Sequence, residues 1–212
     1  MRQEKVIVIG SGNQAEVVID IINQQNEYEI IGVTSLSADL EEFCGYPVLG
    51  NDSELKKIEK NNSFKLAMGI GGYRSNHNRK RVFESLKNQG FDFINVIHPH
   101  SSISKTARLG EGISVYAGAV INTAATIEDN VILALNSSVG HHSKIGKHSL
   151  LSAAASIGAN AKVGNESLIA MGARLISGIK IGEKVTVAAG AVVVDSIESD
   201  KTVFGIPAKQ KK

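Results

Sequence analysis

The chain has no tryptophan, only three prolines and a single cysteine in 212 residues. One thiol, Cys44, excludes an internal disulfide and fits a reducing compartment rather than a small oxidised scaffold. No apolar run is long enough to span a bilayer, and Val6–Ile9 is too short for a signal-peptide core. Charge of one sign is also missing. A formal net charge of +2 leaves no broad basic face for nucleic acid, and the one basic cluster is Lys209, Lys211 and Lys212. These absences predict a soluble cytoplasmic protein with neither membrane nor nucleic acid among its partners. What is plentiful is glycine, with 21 residues, and apolar side chains at 42%, enough for one large domain or two small ones.

The C-terminal half is strictly periodic. Stepping by six from Ile103 through Leu109, Val115 and Ile121 to Val193 meets sixteen consecutive Ile, Leu or Val residues without a slip. Glycine often follows, as at Gly140, Gly146, Gly158 and Gly164, and a small residue often comes four places on, as at Ser137, Ser143, Ser149 and Ala161. One inward aliphatic and one small corner residue per hexad describe a triangular prism whose coils satisfy each other's backbone groups. The pattern predicts a left-handed parallel β-helix over 99–212. About five coils at the ~4.8 Å spacing of neighbouring strands would stand roughly 24 Å tall. A sandwich of short strands would alternate with period two, and this sequence does not.

Residues 1–98 follow another grammar and predict a Rossmann-like α/β unit. Lys5–Ile9 reads as a buried strand, and Gly10-Ser11-Gly12-Asn13-Gln14-Ala15 matches G-x-G-x-x-A before a helix lined by Val17, Val18, Ile21 and Ile22. Tyr28–Val33, Lys65–Ile70 and Phe93–Ile97 read as further strands, with a helix near Ser75–Asn88. Such a glycine turn admits phosphate because it allows close backbone approach at a helix N-terminus. A dinucleotide site also wants an acid near the end of the second strand. That end reads Thr34-Ser35-Leu36, so NAD is disfavoured. Gly71, Tyr73 and Arg74 follow the third strand, where an α/β sheet binds ligands.

The order of these pieces resembles the bacterial sugar O-/N-acyltransferase family, which includes sialic-acid O-acetyltransferases and N-acetyltransferases of nucleotide-linked amino sugars. The resemblance spans nearly the whole chain. It rests on the Gly10–Ala15 turn, Ile97-His98-Pro99, the stretch Asn136–Gly146 with Val139-Gly140-His141-His142, and the ending Gly205-Ile206-Pro207-Ala208-Lys209.

The resemblance implies a homotrimer with acetyl-CoA as co-substrate, lying along the β-helix between neighbouring subunits, and no metal. It implies that the N-terminal unit holds the nucleotide-linked sugar, through Gly10, Ser11, Gly12, Gln14, Gly71 and Tyr73, with Asn136 near the acceptor. The activity implied is N-acetylation of a 4-amino-4,6-dideoxyhexose for surface glycan synthesis, with O-acetylation of a sialic-acid-like sugar as the alternative. His141 takes the place of the family's catalytic histidine. Acyl transfer requires the nucleophile to lose a proton, and an imidazole, titrating near ~6.5 when unperturbed, suits that task. Ala159, one coil on, would offer its backbone N–H to the acetyl oxygen. Ala189, Pro207 and Lys209 would touch the coenzyme.

The chain departs from the family at four places. His142 follows the base where relatives carry Asp or Glu, Leu150 and Ala134 replace a second histidine and an asparagine, and Gln14 replaces a histidine of the glycine turn. His148, between Asn130 and Glu166 in the stack, reads as a solvated surface residue, while His98 and His100 read as structural at the junction. Two other classes stay open. A zinc enzyme on the same fold would need histidines spread along the prism, and a nucleotide-sugar-binding sensor or scaffold would need no base.

Overall fold

The computed structural model describes residues 3–59, 63–72 and 76–210. Tyr73, Arg74, Lys211 and Lys212 lie outside the described residues. The N-terminal unit is a three-stranded parallel sheet in the order β2 (Tyr28–Val33), β1 (Glu4–Ile9), β3 (Lys65–Met68). Val6 to Ile9 are all fully buried, as a central parallel strand covered on both faces must be. Helix α1 (Asn13–Gln25) covers one face with Ala15, Val18, Ile19 and Ile22, and ends at Asn26, whose left-handed φ of 55° lets its N–H cap Ile22 O. Val17, read as part of that stripe, is 41% exposed; Ile19 replaces it because the buried face follows i, i+3, i+4 spacing. Helix α2 (His77–Asn88) covers the other face with Phe83 and Leu86 against Ile7, Ile9, Leu66 and Met68.

The fourth strand expected at Phe93–Ile97 is divided between two structures. Phe93 makes one isolated parallel bridge to Leu66, whereas Val96–Ile97 pairs with Ser114–Val115 in the first face of a solenoid.

That solenoid is a left-handed parallel β-helix. Its first face includes Ser114–Val115, Ile132–Leu133, Leu150–Leu151, Leu168–Ile169 and Thr186–Val187. The second runs from Ser102–Ile103 through Ser138–Val139 to Val192–Val193, and the third from Arg108–Leu109 through Lys144–Ile145 to Lys180–Ile181. From Val96 to Val193 the ladders pair residues eighteen apart, such as Val139 with Ile157 and Ile145 with Val163, and the last coil closes at sixteen, with Thr186 on Thr202. The second face holds six strands, so about six coils are present where five were expected.

Sequence chemistry explains the regularity. The aliphatics from Val115 to Val193 fill one continuous core. Ser143, Ser149 and Ser167 are buried at the corners, and each hydroxyl donates to a carbonyl of the next coil (Gly158, Gly164 and Gly182) at 2.8–2.9 Å. A Cβ on Gly140 would come within 2.6 Å of Ala159 N, so the adjacent coil can pass only a glycine there. Every sixth residue from Gly112 to Gly190 has a left-handed φ, fourteen in succession, turning the chain at each corner. Glycine and asparagine occupy most of these places, but His142, His148, Ala154, Glu166 and Lys184 are among the exceptions.

The two units are bolted together by α2. Asn76 Nδ2 donates to His148 O at 2.9 Å, Lys80 pairs with Glu166 at 2.8 Å, and Arg79 reaches Gly112 O at 2.8 Å. No helix among the described residues is long and apolar enough to cross a membrane.

Candidate active site

Two edges of the prism carry the residues singled out above. His141 and His142 sit exposed at the edge between the second and third faces, with Ala159 one coil on and Ser177 two coils on. Their rings meet edge to face, Nδ1 to Nδ1 at 3.1 Å. Only one of two facing Nδ1 atoms can carry a proton. With the proton on His141 Nδ1 and the lone pair on His142 Nδ1, the outward Nε2 of His141 is left as a base. In that tautomer His142 Nδ1 accepts a hydrogen bond that holds the His141 ring. The left-handed turn at His142, φ 59°, brings the two rings into this arrangement.

The Ala159 N–H donates to Ser177 Oγ at 3.1 Å. An acyl oxygen drawn to that amide would have to take the place of the serine hydroxyl, a partner that the sequence reading missed and that counting eighteen residues on from Ala159 would find. Asn136, Ala189 and Pro207 lie along the other edge, between the first and second faces, so one chain does not bring them to His141. Exposed apolar side chains follow that edge and its end, namely Leu135, Met171, Phe204 and Ile206. Lys209 is exposed on a short strand antiparallel to Thr202–Phe204. His148 is not a solvated surface residue. It is 6% exposed, because α2 docks over it and Asn130 hydrogen-bonds its Nδ1 at 2.9 Å. Leu150 lines a small cavity of about 240 Å³ beside it, between α2 and the first face.

The N-terminal unit opens a cleft of about 900 Å³ at the strand ends, lined by Gly10, Ser11, Gly12, Gln14, Gly71 and Arg81 among others. Gly12 caps α1 without a side-chain bond, leaving first-turn N–H groups directed at the cleft. Gln14 packs against Gly71, and its buried Nε2 has no protein partner among the described residues. Gly10 N donates to Thr34 Oγ1 at 3.1 Å, and Thr34 Oγ1 donates to Asp52 Oδ1 at 2.7 Å. The sequence showed no acid at the end of β2 and set NAD aside on that ground. In space Asp52 stands there, brought by the short turn after Gly50, and that ground is removed.

Among the described residues no three His, Cys, Asp or Glu side chains are grouped to hold a metal ion. The N-terminal unit matches the PglD N-terminal domain family over residues 5–86. Over nearly its whole length the chain is similar to a perosamine N-acetyltransferase from Caulobacter crescentus, solved with CoA and GDP-perosamine. Identity is 31%, coverage 98% of this chain and 97% of that one, and the TM-score 0.90. The chain belongs to the sugar N-acyltransferase family. Within this family it is also similar to the acetyltransferase domain of PglB from Neisseria gonorrhoeae, solved with acetyl coenzyme A, at 29% identity, 99% and 100% coverage and a TM-score of 0.88. A UDP-N-acetylbacillosamine N-acetyltransferase from Bacillus subtilis is 29% identical over 119 residues, 54% of this chain and 52% of that protein. The match thus spans about half the length of that relative.

Proposed function

We propose that this chain is an acetyl-CoA-dependent N-acetyltransferase of a nucleotide-linked amino sugar, with His141 as general base. The observation that carries the reading is the His141–His142 pair at 3.1 Å, set one coil from the Ala159 amide in a fold whose solved relatives bind CoA and an amino-sugar nucleotide. The sugar amine attacks the thioester carbonyl, a C–N bond forms, and the C–S bond breaks with coenzyme A leaving as its thiolate. The proton that the amine loses goes to His141 Nε2, and His142 Nδ1 accepts the hydrogen bond from the charged ring. Transfer is direct, with no acetyl-enzyme. Neither histidine needs a metal for this role.

In this reading the chain works as a homotrimer in the cytoplasm. The edge bearing His141 and the edge bearing Asn136, Ala189 and Pro207 are separate on one prism. A ring of three sets one chain's first edge against its neighbour's second, and also covers the exposed Leu135 and Met171. Acetyl-CoA would then lie between subunits, with the nucleotide held at Gly10–Gln14. The sugar's place is surface-glycan synthesis.

The test is a panel of UDP-, GDP- and dTDP-linked 4-amino sugars incubated with acetyl-CoA, reading thiol release and product mass. An N-acetylated product from one of them is the expected result. Acetylation of a hydroxyl only would replace the reading with sugar O-acetylation, and nucleotide-sugar binding without turnover would make the protein a sensor. Light scattering should return three chains per particle at micromolar concentration.

A further inference from the structure

Asp52 is the only carboxylate lining the cleft of about 900 Å³ among the described residues. Arg81 and the Gly10–Gln14 turn line the same cleft. A negative group in a cleft that takes phosphates must face a neutral, proton-donating part of the ligand, since phosphate oxygens would repel it. Its place in the fold says which part.

The carboxylate is held by a relay. Gly10 N–H donates to Thr34 Oγ1 at 3.1 Å and Thr34 Oγ1 donates to Asp52 Oδ1 at 2.7 Å; Thr34 itself is 1% exposed. Asn51 caps the turn that carries Asp52, accepting from Ser53 N at 2.9 Å. These bonds fix Oδ1 and leave Oδ2 without a protein partner among the described residues. Thr34 directly follows β2, so the carboxylate stands at the carboxyl end of β2, beside the glycine turn. In doubly wound sheets that is where an acid meets a ribose hydroxyl while the helix N-terminus holds the pyrophosphate. Here the acid arrives from a different segment and is locked to the phosphate turn through one threonine.

We infer that Asp52 accepts a hydrogen bond from the ribose 2′-hydroxyl of the bound nucleotide, so that the cleft selects ribonucleoside diphosphates over their 2′-deoxy counterparts. This rests on the functional reading above and narrows it: a UDP- or GDP-linked sugar is taken and a dTDP-linked one is rejected.

The experiment is titration calorimetry of the full chain with UDP, GDP, dUDP and dGDP. Wild type should bind the ribose form of its preferred base about 10-fold or more tightly than the deoxy form, the effect of one charge-assisted hydrogen bond. Asp52→Asn, which keeps the shape, should weaken ribonucleotide binding by about 10-fold and shrink the ribose-to-deoxy ratio to within about 3-fold. Equal binding of ribose and deoxy forms by wild type overturns the inference without any variant. So does an Asp52→Asn protein that keeps full discrimination, or one that loses discrimination between uracil and guanine instead, which would make Asp52 a base reader. Binding of dTDP with none of these four overturns the inference and leaves the functional reading standing; if dTDP also fails to bind, the functional reading of the cleft fails as well, an outcome distinct from binding without ribose selectivity.

Discussion

The guanidinium of Arg79 donates to Ser114 Oγ at 3.2 Å across the junction of the two units. The same group donates to Gly112 O at 2.8 Å and, on its other side, to Met68 O and Ile70 O at the end of β3. Arg79 is fully buried, and among the described residues no carboxylate pairs with it. Burial lowers its pKa to about 10, opposed by the nearby Tyr116 hydroxyl, so it stays charged at neutral pH. The charge is compensated by three carbonyl dipoles and the Ser114 hydroxyl, and the fork shape of the guanidinium is what lets one side chain serve both units.

Removing that fork should leave three carbonyls without donors. Arg79→Met is expected to cost roughly 2–4 kcal/mol in urea unfolding. Arg79→Lys should recover less than half of it, because an ammonium cannot span both units. Equal stability of wild type and Arg79→Met would show that the junction does not depend on this contact.

His148 sets the acid response of the fold. Burial drives its pKa below the ordinary histidine value, with Glu84 pulling in the other direction. A base whose folded pKa is lowered contributes stability that is present above its unfolded value near ~6.5 and is lost as pH falls below it. Glu166, lowered by its bond to Lys80, adds a loss only below its ordinary value of 4.5. Tm should therefore decline as pH falls below about 6.5 in wild type, and decline less in His148→Asn, which tolerates the left-handed φ of 59°. Parallel Tm–pH curves for the two proteins would count against His148.

Ala154 is an exposed alanine held at φ 57°. Glycine carries no Cβ penalty there, so Ala154→Gly should raise stability by about 0.5–1 kcal/mol in chemical denaturation, against the usual direction of this exchange. A loss would mean that the corner methyl packs against a neighbouring chain in the assembly.

His142 should act through His141. His142→Glu places a carboxylate at the position where the family carries one, and should keep at least wild-type kcat while moving the acidic limb of the rate profile to higher pH. His142→Phe, with no acceptor, should lower kcat about 10-fold or more with KM for acetyl-CoA nearly unchanged. Identical profiles for all three proteins would remove His142 from the mechanism.

The solenoid was legible because one physical demand repeats: an aliphatic at every sixth place from Ile103 to Val193 has no other use than a prism core. The glycine turn was legible from its G-x-G-x-x-A spacing, and His141 from the resemblance of Val139-Gly140-His141 to the family motif. The features that escaped the sequence all depend on what a neighbouring element brings. Asp52 sits eighteen residues beyond Thr34 in a turn without periodicity, and only the folded chain joins them. Arg79 reads as one more base on a polar helix until the first coil packs over it. His148 looks solvated on an isolated prism and is buried by α2. Val96–Ile97 has strand character in either sheet, and pairing with Ser114–Val115 decides its side.

The most direct test of the account is the steady-state rate of His141→Asn with the amino-sugar nucleotide that wild type acetylates. The expected result is a kcat lower by roughly 10²–10⁴-fold, little change in KM for acetyl-CoA, and loss of the acidic limb of the pH profile. Full activity in His141→Asn would contradict base catalysis at this residue. Full activity there together with an inactive His142→Asn would move the base by one position.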